Sequence, residues 1–175
     1  IFSDSNEIIL VEGETDKAYL ELLKDNKHGN SKLTFKGEIF AYGGAGNLKN
    51  NILLRFVKDR FKKFLVTVDM DKISDVKSSF ETLGLKENKA FLVIGKNETD
   101  KKCIEGLVPH NLLSRVYSEN VELVQKGMEN SNDGKIARNE LKGKILELFK
   151  TEAENDLNNF EEFYKLSKII NKTFK

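Results

Sequence analysis

Three carboxylates stand at the ends of apolar runs, where side chains from separate parts of a chain can meet. Glu12 directly follows the run Ile8–Val11, Asp69 directly follows Phe64–Val68, and Asp71 comes two residues later. If these runs are parallel strands, their carboxyl ends share one rim of the sheet, where ligands bind in such folds. Clustered carboxylates repel and raise one another's pKa, and a cation relieves that repulsion. Because Mg²⁺ and Mn²⁺ prefer oxygen ligands, the pattern predicts a carboxylate metal site.

The elements that must position these acids alternate between apolar runs and amphipathic stretches. The strand-like runs are Ile8–Val11, Ile39–Tyr42, Phe64–Val68 and Phe91–Ile94. Helical spacing of apolar residues marks Thr15–Leu23, Leu48–Val57 and Val76–Leu83 between them, with Thr15 or Asp16 expected to cap the first helix. Runs that are apolar throughout belong to sheets covered on both faces. The pattern predicts an α/β fold with a four-stranded parallel sheet flanked by helices.

The last third of the chain has a different pattern. Pro109, the single proline, is expected in the first turn of a helix. Helical patterns follow at Leu123–Met128, Ile136–Phe149 and Leu157–Phe174, without a convincing strand. We therefore predict an α/β core over residues 1–110 and a helical C-terminal portion over residues 111–175, packed on the same domain.

Composition limits the classes of protein to consider. Lys and Arg number 29 against 28 Asp and Glu, so no global basic field marks the chain as a nucleic-acid binder. The single cysteine, Cys103, excludes an internal disulfide and fits a reducing compartment such as the cytoplasm. No apolar run reaches the roughly 20 residues of a membrane span, so no membrane partner is expected.

The acidic motifs resemble those of a known family. Val11-Glu12-Gly13-Glu14-Thr15-Asp16 is similar to the VEG-x-x-D opening of Toprim domains, and Val68-Asp69-Met70-Asp71 is similar to their D-x-D motif. With Met70 between the aspartates and Lys72-Ile73-Ser74 after them, the chain most resembles nucleases of the OLD family (overcoming lysogenization defect). The resemblance covers about the first 110 residues and implies a Rossmann-like Toprim fold.

Two later segments are similar to that family. Cys103–Pro109 resembles its acidic stretch after the fourth strand, and Lys142–Leu146 resembles its late lysine segment. The resemblance implies two Mg²⁺ or Mn²⁺ ions, with Glu12, Asp69 and Asp71 as ligands of the first. It assigns Asp16 and Glu105 to the second, and gives Lys142 or Lys144 the role of neutralising charge on the phosphate.

The implied function is DNA cleavage by two-metal phosphodiester hydrolysis. OLD nucleases join the Toprim domain to an ABC-type ATPase, and their relatives serve in anti-phage defence. Because the chain begins at Ile1 and not at Met, we expect it to be the C-terminal catalytic part of such a protein. An upstream ATPase and a homo-oligomer formed through the missing regions would be its partners.

Simpler structural roles stay open for each residue. Asp71 could cap the following helix, and Asp16 could be a first-turn acid stabilised by the helix dipole. Glu105 could be a surface residue, and Lys142 and Lys144 equally suit a solvated helix face. The glycine-rich segment Gly43–Gly46 is predicted to be a tight turn at the rim, whose backbone N–H groups could still contact a phosphate.

Two rival functions also fit a Toprim fold. One is a scaffold or nucleic-acid-binding module in recombination or repair, although the intact acids at positions 12, 69 and 71 favour an active site. The other is a primase or topoisomerase part. Topoisomerase chemistry needs a tyrosine nucleophile, and none of the four tyrosines has a sequence context that suggests one.

Overall fold

The computed structural model describes residues 6–175, and four parallel strands form its sheet. The strands are β1 (Glu7–Val11), β2 (Glu38–Ala41), β3 (Lys63–Asp69) and β4 (Phe91–Ile94), in the order β2-β1-β3-β4. All three neighbouring pairs are parallel, so every strand ends at the same rim. The predicted α/β fold with a four-stranded parallel sheet, a Rossmann-like arrangement, is confirmed.

The sheet is buried on both faces, as its continuous apolar strands require. Ile8 and Leu10 point to one face, while Ile9 and Val11 point to the other, and all four are fully buried. The two sets of side chains belong to separate hydrophobic clusters, one on each side of the sheet.

Helices cover each face. They are α1 (Glu14–Leu22), α2 (Ile52–Arg60), α3 (Ile73–Thr82), α4 (His110–Glu119), α5 (Val121–Gly127), α6 (Asn132–Asn155) and α7 (Glu161–Thr173). The buried residues of α2 and α3 pack on the face that carries Ile8 and Leu10. Those of α1, α4, α6 and α7 pack on the face that carries Ile9 and Val11. No helix of the described residues 6–175 is both long enough and apolar enough to cross a bilayer.

The C-terminal helices share one core with the sheet. Phe149 of α6 and Phe163 of α7 lie 5.0 Å apart between ring centroids, and both contact the ring of Tyr19 on α1. These contacts pack the C-terminal helices α6 and α7 against α1. Burial of aromatic rings contributes strongly to stability, so the helices and the sheet form one core. Residues 1–5 of the predicted core lie outside the described residues.

Three local predictions need correction. The stripe predicted on this helix includes Ile52, Leu53, Phe56 and Val57, but Ile52 and Phe56 are 71% and 46% exposed, Leu53 is partly buried, and the fully buried residues of α2 are Leu54 and Val57. Leu48 lies in a separate short 3₁₀ helix, Ala45–Leu48. At α1 the N-cap is Gly13, not Thr15 or Asp16.

Candidate metal centre

The carboxyl rim of the sheet gathers the predicted acids. β1 and β3 are hydrogen-bonded neighbours, so Glu12, just after β1, and Asp69, the last residue of β3, emerge side by side. α1 begins at this rim and carries Asp16 in its first turn. The segment after β4 returns to the rim as a 3₁₀ helix, Ile104–Leu107, which carries Glu105.

Among the acids at the rim, Asp69 is the one that belongs to a strand, as the last residue of β3. It is 6% exposed and paired in register with Ile94 on β4. Burial, together with the charges of Asp16 and Glu12, raises its pKa to about 9. The protonated form is therefore favoured in the metal-free site at neutral pH.

Asp16 lies in the first turn of α1 and is 5% exposed. Its Oδ2 accepts a hydrogen bond from the Gly13 N–H at 3.0 Å, so the first-turn role considered for this residue is real. Burial, followed by the charge of Glu105, raises its pKa to about 6. The Asp16 carboxylate thus stabilises the start of α1, and it is also repelled by the carboxylates of Glu105 and Glu12.

Glu12 is held by the glycine-rich segment. The Gly43 and Gly44 N–H groups donate to the Glu12 carbonyl at 3.0 and 3.1 Å, and the Ala45 N–H donates to its carboxylate. Both glycines have positive φ, 77° and 101°, which a side chain would disfavour. The segment is a tight turn at the rim, as predicted. Burial raises the pKa of Glu12, and its Oε2 is buried without a hydrogen-bond partner.

Glu105 is the least solvated acid, at 4% exposure, so it is not the surface residue that its sequence context allowed. Both of its carboxylate oxygens are buried and accept no hydrogen bond. Its one ion-pair partner among the described residues is Lys142, whose Nζ lies 3.3 Å from Oε1 without the orientation of a hydrogen bond.

Lys142 reaches the acids from α6. Burial opposes its charge, but the carboxylates, Glu105 first, outweigh that effect and raise the pKa of its ammonium group. Lys144 has a different environment, because it pairs with Glu140 on the same helix at 3.8 Å. It also lines a groove of about 420 Å³ between α4 and α6, together with Arg115. Of the two lysines, only Lys142 joins the acidic cluster.

Asp71 lies at the outer edge of the site. It is exposed and forms an ion pair with Lys72 at 2.8 Å. It does not cap α3, because the N-cap position is Lys72. The charge of Asp71 raises the pKa of Glu12, so the two carboxylates face the same region.

Two tyrosines near the site were not predicted, whereas Cys103 belongs to the Cys103–Pro109 segment that was. Tyr42 donates its hydroxyl hydrogen to the Thr67 carbonyl at 2.9 Å, beneath Asp69. Tyr19 follows Asp16 by three residues, and this spacing on α1 is the one sequence signal that could have placed it on the same helix face. Burial raises the pKa of the Cys103 thiol, which keeps it protonated and unsuited to be a nucleophile.

The donor set fits a hard divalent cation. Within residues 6–175, no three acidic, His or Cys side chains are already arranged to hold a metal ion, so coordination requires these carboxylates to rotate toward one another. Glu12 Oε2 and both carboxylate oxygens of Glu105 are buried without a hydrogen bond, so a bound cation would stabilise their charge. Oxygen donors alone suit Mg²⁺ or Mn²⁺.

The chain matches no family model, no curated protein and no solved structure among those with which it was compared.

Proposed function

We propose that this chain is a divalent-metal-dependent nuclease that hydrolyses phosphodiester bonds in DNA, with a Toprim-type site similar to that of OLD-family endonucleases. One observation carries the proposal: Glu12, Asp16, Asp69 and Glu105 meet at the carboxyl rim of a parallel sheet, with Lys142 as their partner. Buried, perturbed carboxylates of this kind mark functional sites, because a structural core gains little from their mutual repulsion.

The side chains divide into two groups around the cluster. Glu12, Asp69 and the exposed Asp71 are proposed as ligands of one Mg²⁺ or Mn²⁺ ion, and Asp16 and Glu105 as ligands of a second. Such ions, when bound, would lower the pKa of a water and stabilise negative charge on the phosphate and the leaving oxygen. The buried acids Asp69, Asp16 and Glu105 fix the position of the site, since their backbones belong to β3, α1 and a closely packed 3₁₀ helix.

Lys142 would contribute a fixed positive charge. Its raised pKa keeps the ammonium group protonated at any physiological pH. In a site of low dielectric, a preorganised cation stabilises charge that develops on phosphoryl oxygens far more than it would in water. Lys144, paired on the helix surface, has no such role in the proposal.

The direct test is nicking of supercoiled plasmid DNA with Mg²⁺ or Mn²⁺, compared among the original chain, E12Q and D69N. Both substitutions keep the shape of the side chain and remove its charge, so we expect cleavage to fall by roughly 10²-fold or more. D59N is the matched control, since Asp59 is exposed near the end of α2 that lies away from the rim. Cleavage by E12Q or D69N equal to that of D59N would end the assignment.

The same assay separates the rival functions. Metal-independent DNA binding without cleavage would favour the scaffold, and nucleotide-dependent RNA synthesis would favour the primase. An upstream ABC-type ATPase, homo-oligomers, a cytoplasmic location and a role in anti-phage defence belong to the proposal through the resemblance alone. An ABC-type ATPase in the same polypeptide as this chain would support that part of the proposal.

A further inference from the structure

Tyr19 has a buried hydroxyl group with no partner at the edge of the acidic cluster. The side chain is fully buried, and its hydroxyl oxygen makes no hydrogen bond. Buried polar groups are hydrogen-bonded in the great majority of cases, so an exception calls for a physical reason. The proposed nuclease site gives one, because acceptor atoms lie in the same region.

The ring of Tyr19 is held by aromatic side chains of α6 and α7. It stacks on Phe163 with centroids 5.3 Å apart and planes 19° apart, and it contacts Phe149 at 5.6 Å. These aromatic contacts hold the ring whether or not the hydroxyl is bonded. The hydroxyl is therefore a preorganised donor whose place is set by α6 and α7.

The acceptors around the hydroxyl are acids of the site. The pKa of Tyr19 is raised by burial first, and then by the charges of Glu105, Cys103 and Asp16. Asp16 stands three residues earlier on α1, and its Oδ2 already accepts from Gly13. Both oxygens of Glu105 lack a hydrogen bond. The unpartnered Tyr19 hydroxyl thus lies in the same buried region as Glu105, whose nearest donors are the Lys142 ammonium, 3.3 Å from Oε1, and the Cys103 thiol.

We infer that Tyr19 is a positioning residue whose hydroxyl donates a hydrogen bond to Glu105 once that carboxylate turns to ligate a cation. The inference rests on the proposed function, since it needs a cation at the rim. Carboxylates that bind metals are usually held by such bonds, and loss of the partner typically weakens metal binding by about 10- to 100-fold.

The test is titration calorimetry of Mn²⁺ into the chain, which needs no cleavage. Y19F removes the hydroxyl and keeps the ring, and we expect it to weaken Mn²⁺ binding by roughly tenfold. Y164F is the matched control. Its hydroxyl bonds to the His28 ring at 2.9 Å, so its loss should lower the melting temperature with and without Mn²⁺ but change the affinity by less than about twofold.

A double-mutant cycle shows whether Tyr19 acts through Glu105. In an E105Q background, Y19F should produce no further loss of Mn²⁺ affinity beyond about twofold. Equal affinities of Y19F and the original chain would overturn the inference and leave the proposed function standing. If Y19F weakens Mn²⁺ binding equally in the original and the E105Q chains, the inference is also overturned. If the original chain binds no Mn²⁺, the metal site itself is wrong and the role of Tyr19 fails with it.

Discussion

Replacing Asp69 with asparagine should stabilise the metal-free protein while destroying its response to metal. Asp69 is 6% exposed with a pKa of about 9, whereas free aspartate titrates near 3.8. At pH 7.5 the folded side chain therefore holds a proton that the unfolded chain releases. At 1.36 kcal/mol for each pH unit above 3.8, this difference lowers the free energy of unfolding by about 5 kcal/mol at most.

The stabilisation expected in practice is smaller than that ceiling. Asp69 shares its protons with Asp16 and Glu12, which rearrange their ionisation when one acid of the cluster is removed. We expect D69N to gain about 2–3 kcal/mol, which corresponds to a rise in melting temperature of roughly 5–10 °C for a chain of this size. Stability at the expense of activity is typical of functional acids.

The assay is thermal unfolding followed by far-ultraviolet circular dichroism, in EDTA and in Mn²⁺, between pH 6 and 9. In EDTA the original chain should lose stability as pH rises, because its raised pKa values make the folded state the one that binds more protons. D69N should show a shallower slope and no shift with Mn²⁺. D59N is the control and should behave as the original chain does. A D69N protein that melts lower in EDTA, or that keeps the full Mn²⁺ shift, would refute the electrostatic argument.

Three further predictions concern single residues. K142M should reduce plasmid nicking by roughly 10²-fold, while K144M stays within about twofold, when initial rates are compared at saturating Mg²⁺. G106A should lower the free energy of unfolding in urea by about 1–3 kcal/mol, because the added Cβ would clash with the Lys101 carbonyl oxygen. His28 is buried and accepts from Tyr164 while donating to the Leu22 carbonyl, so burial lowers its pKa below 6.5. Relative to H28Q, the original chain should therefore lose stability as pH falls below about 6.5, as measured by urea unfolding at pH 5 and pH 7.

The sheet could be predicted because its signal is local. Strands buried on both faces need apolar residues at every position, and β1 shows this in Ile8–Val11, where alternate side chains enter different cores. Parallel pairing then follows from the helical patterns between the strands, and it places Glu12 and Asp69 at one rim. These steps use only the apolar periodicity and the alternation of strands with helices.

The choice between the two late lysines could not be made from the sequence. The buried stripe of α6 includes Leu141, Ile145 and Phe149. Lys142 follows one member of that stripe and Lys144 precedes the next, so the two flank it on opposite sides. Which side faces the acids depends on how α6 is rotated against the sheet, and only tertiary packing fixes that rotation. The exposure of Ile52 and Phe56 on α2 is a similar case, because periodicity does not show where a helix stops contacting the sheet.

The C-terminal helices contribute to the proposed site at the rim of the sheet, because α6 carries Lys142. An α/β core alone would bring Glu12, Asp16 and Asp69 together with little to offset their repulsion, and the pKa values show that burial already disfavours their ionised forms. Lys142 supplies one positive charge from α6, but its ion pair is with Glu105, and within residues 6–175 neither Glu12 nor Asp69 forms an ion pair. Protons can neutralise these acids only while the pH stays below their raised pKa values. Above that range a divalent cation is the remaining source of compensation, and its affinity should therefore increase with pH as the competing protons leave.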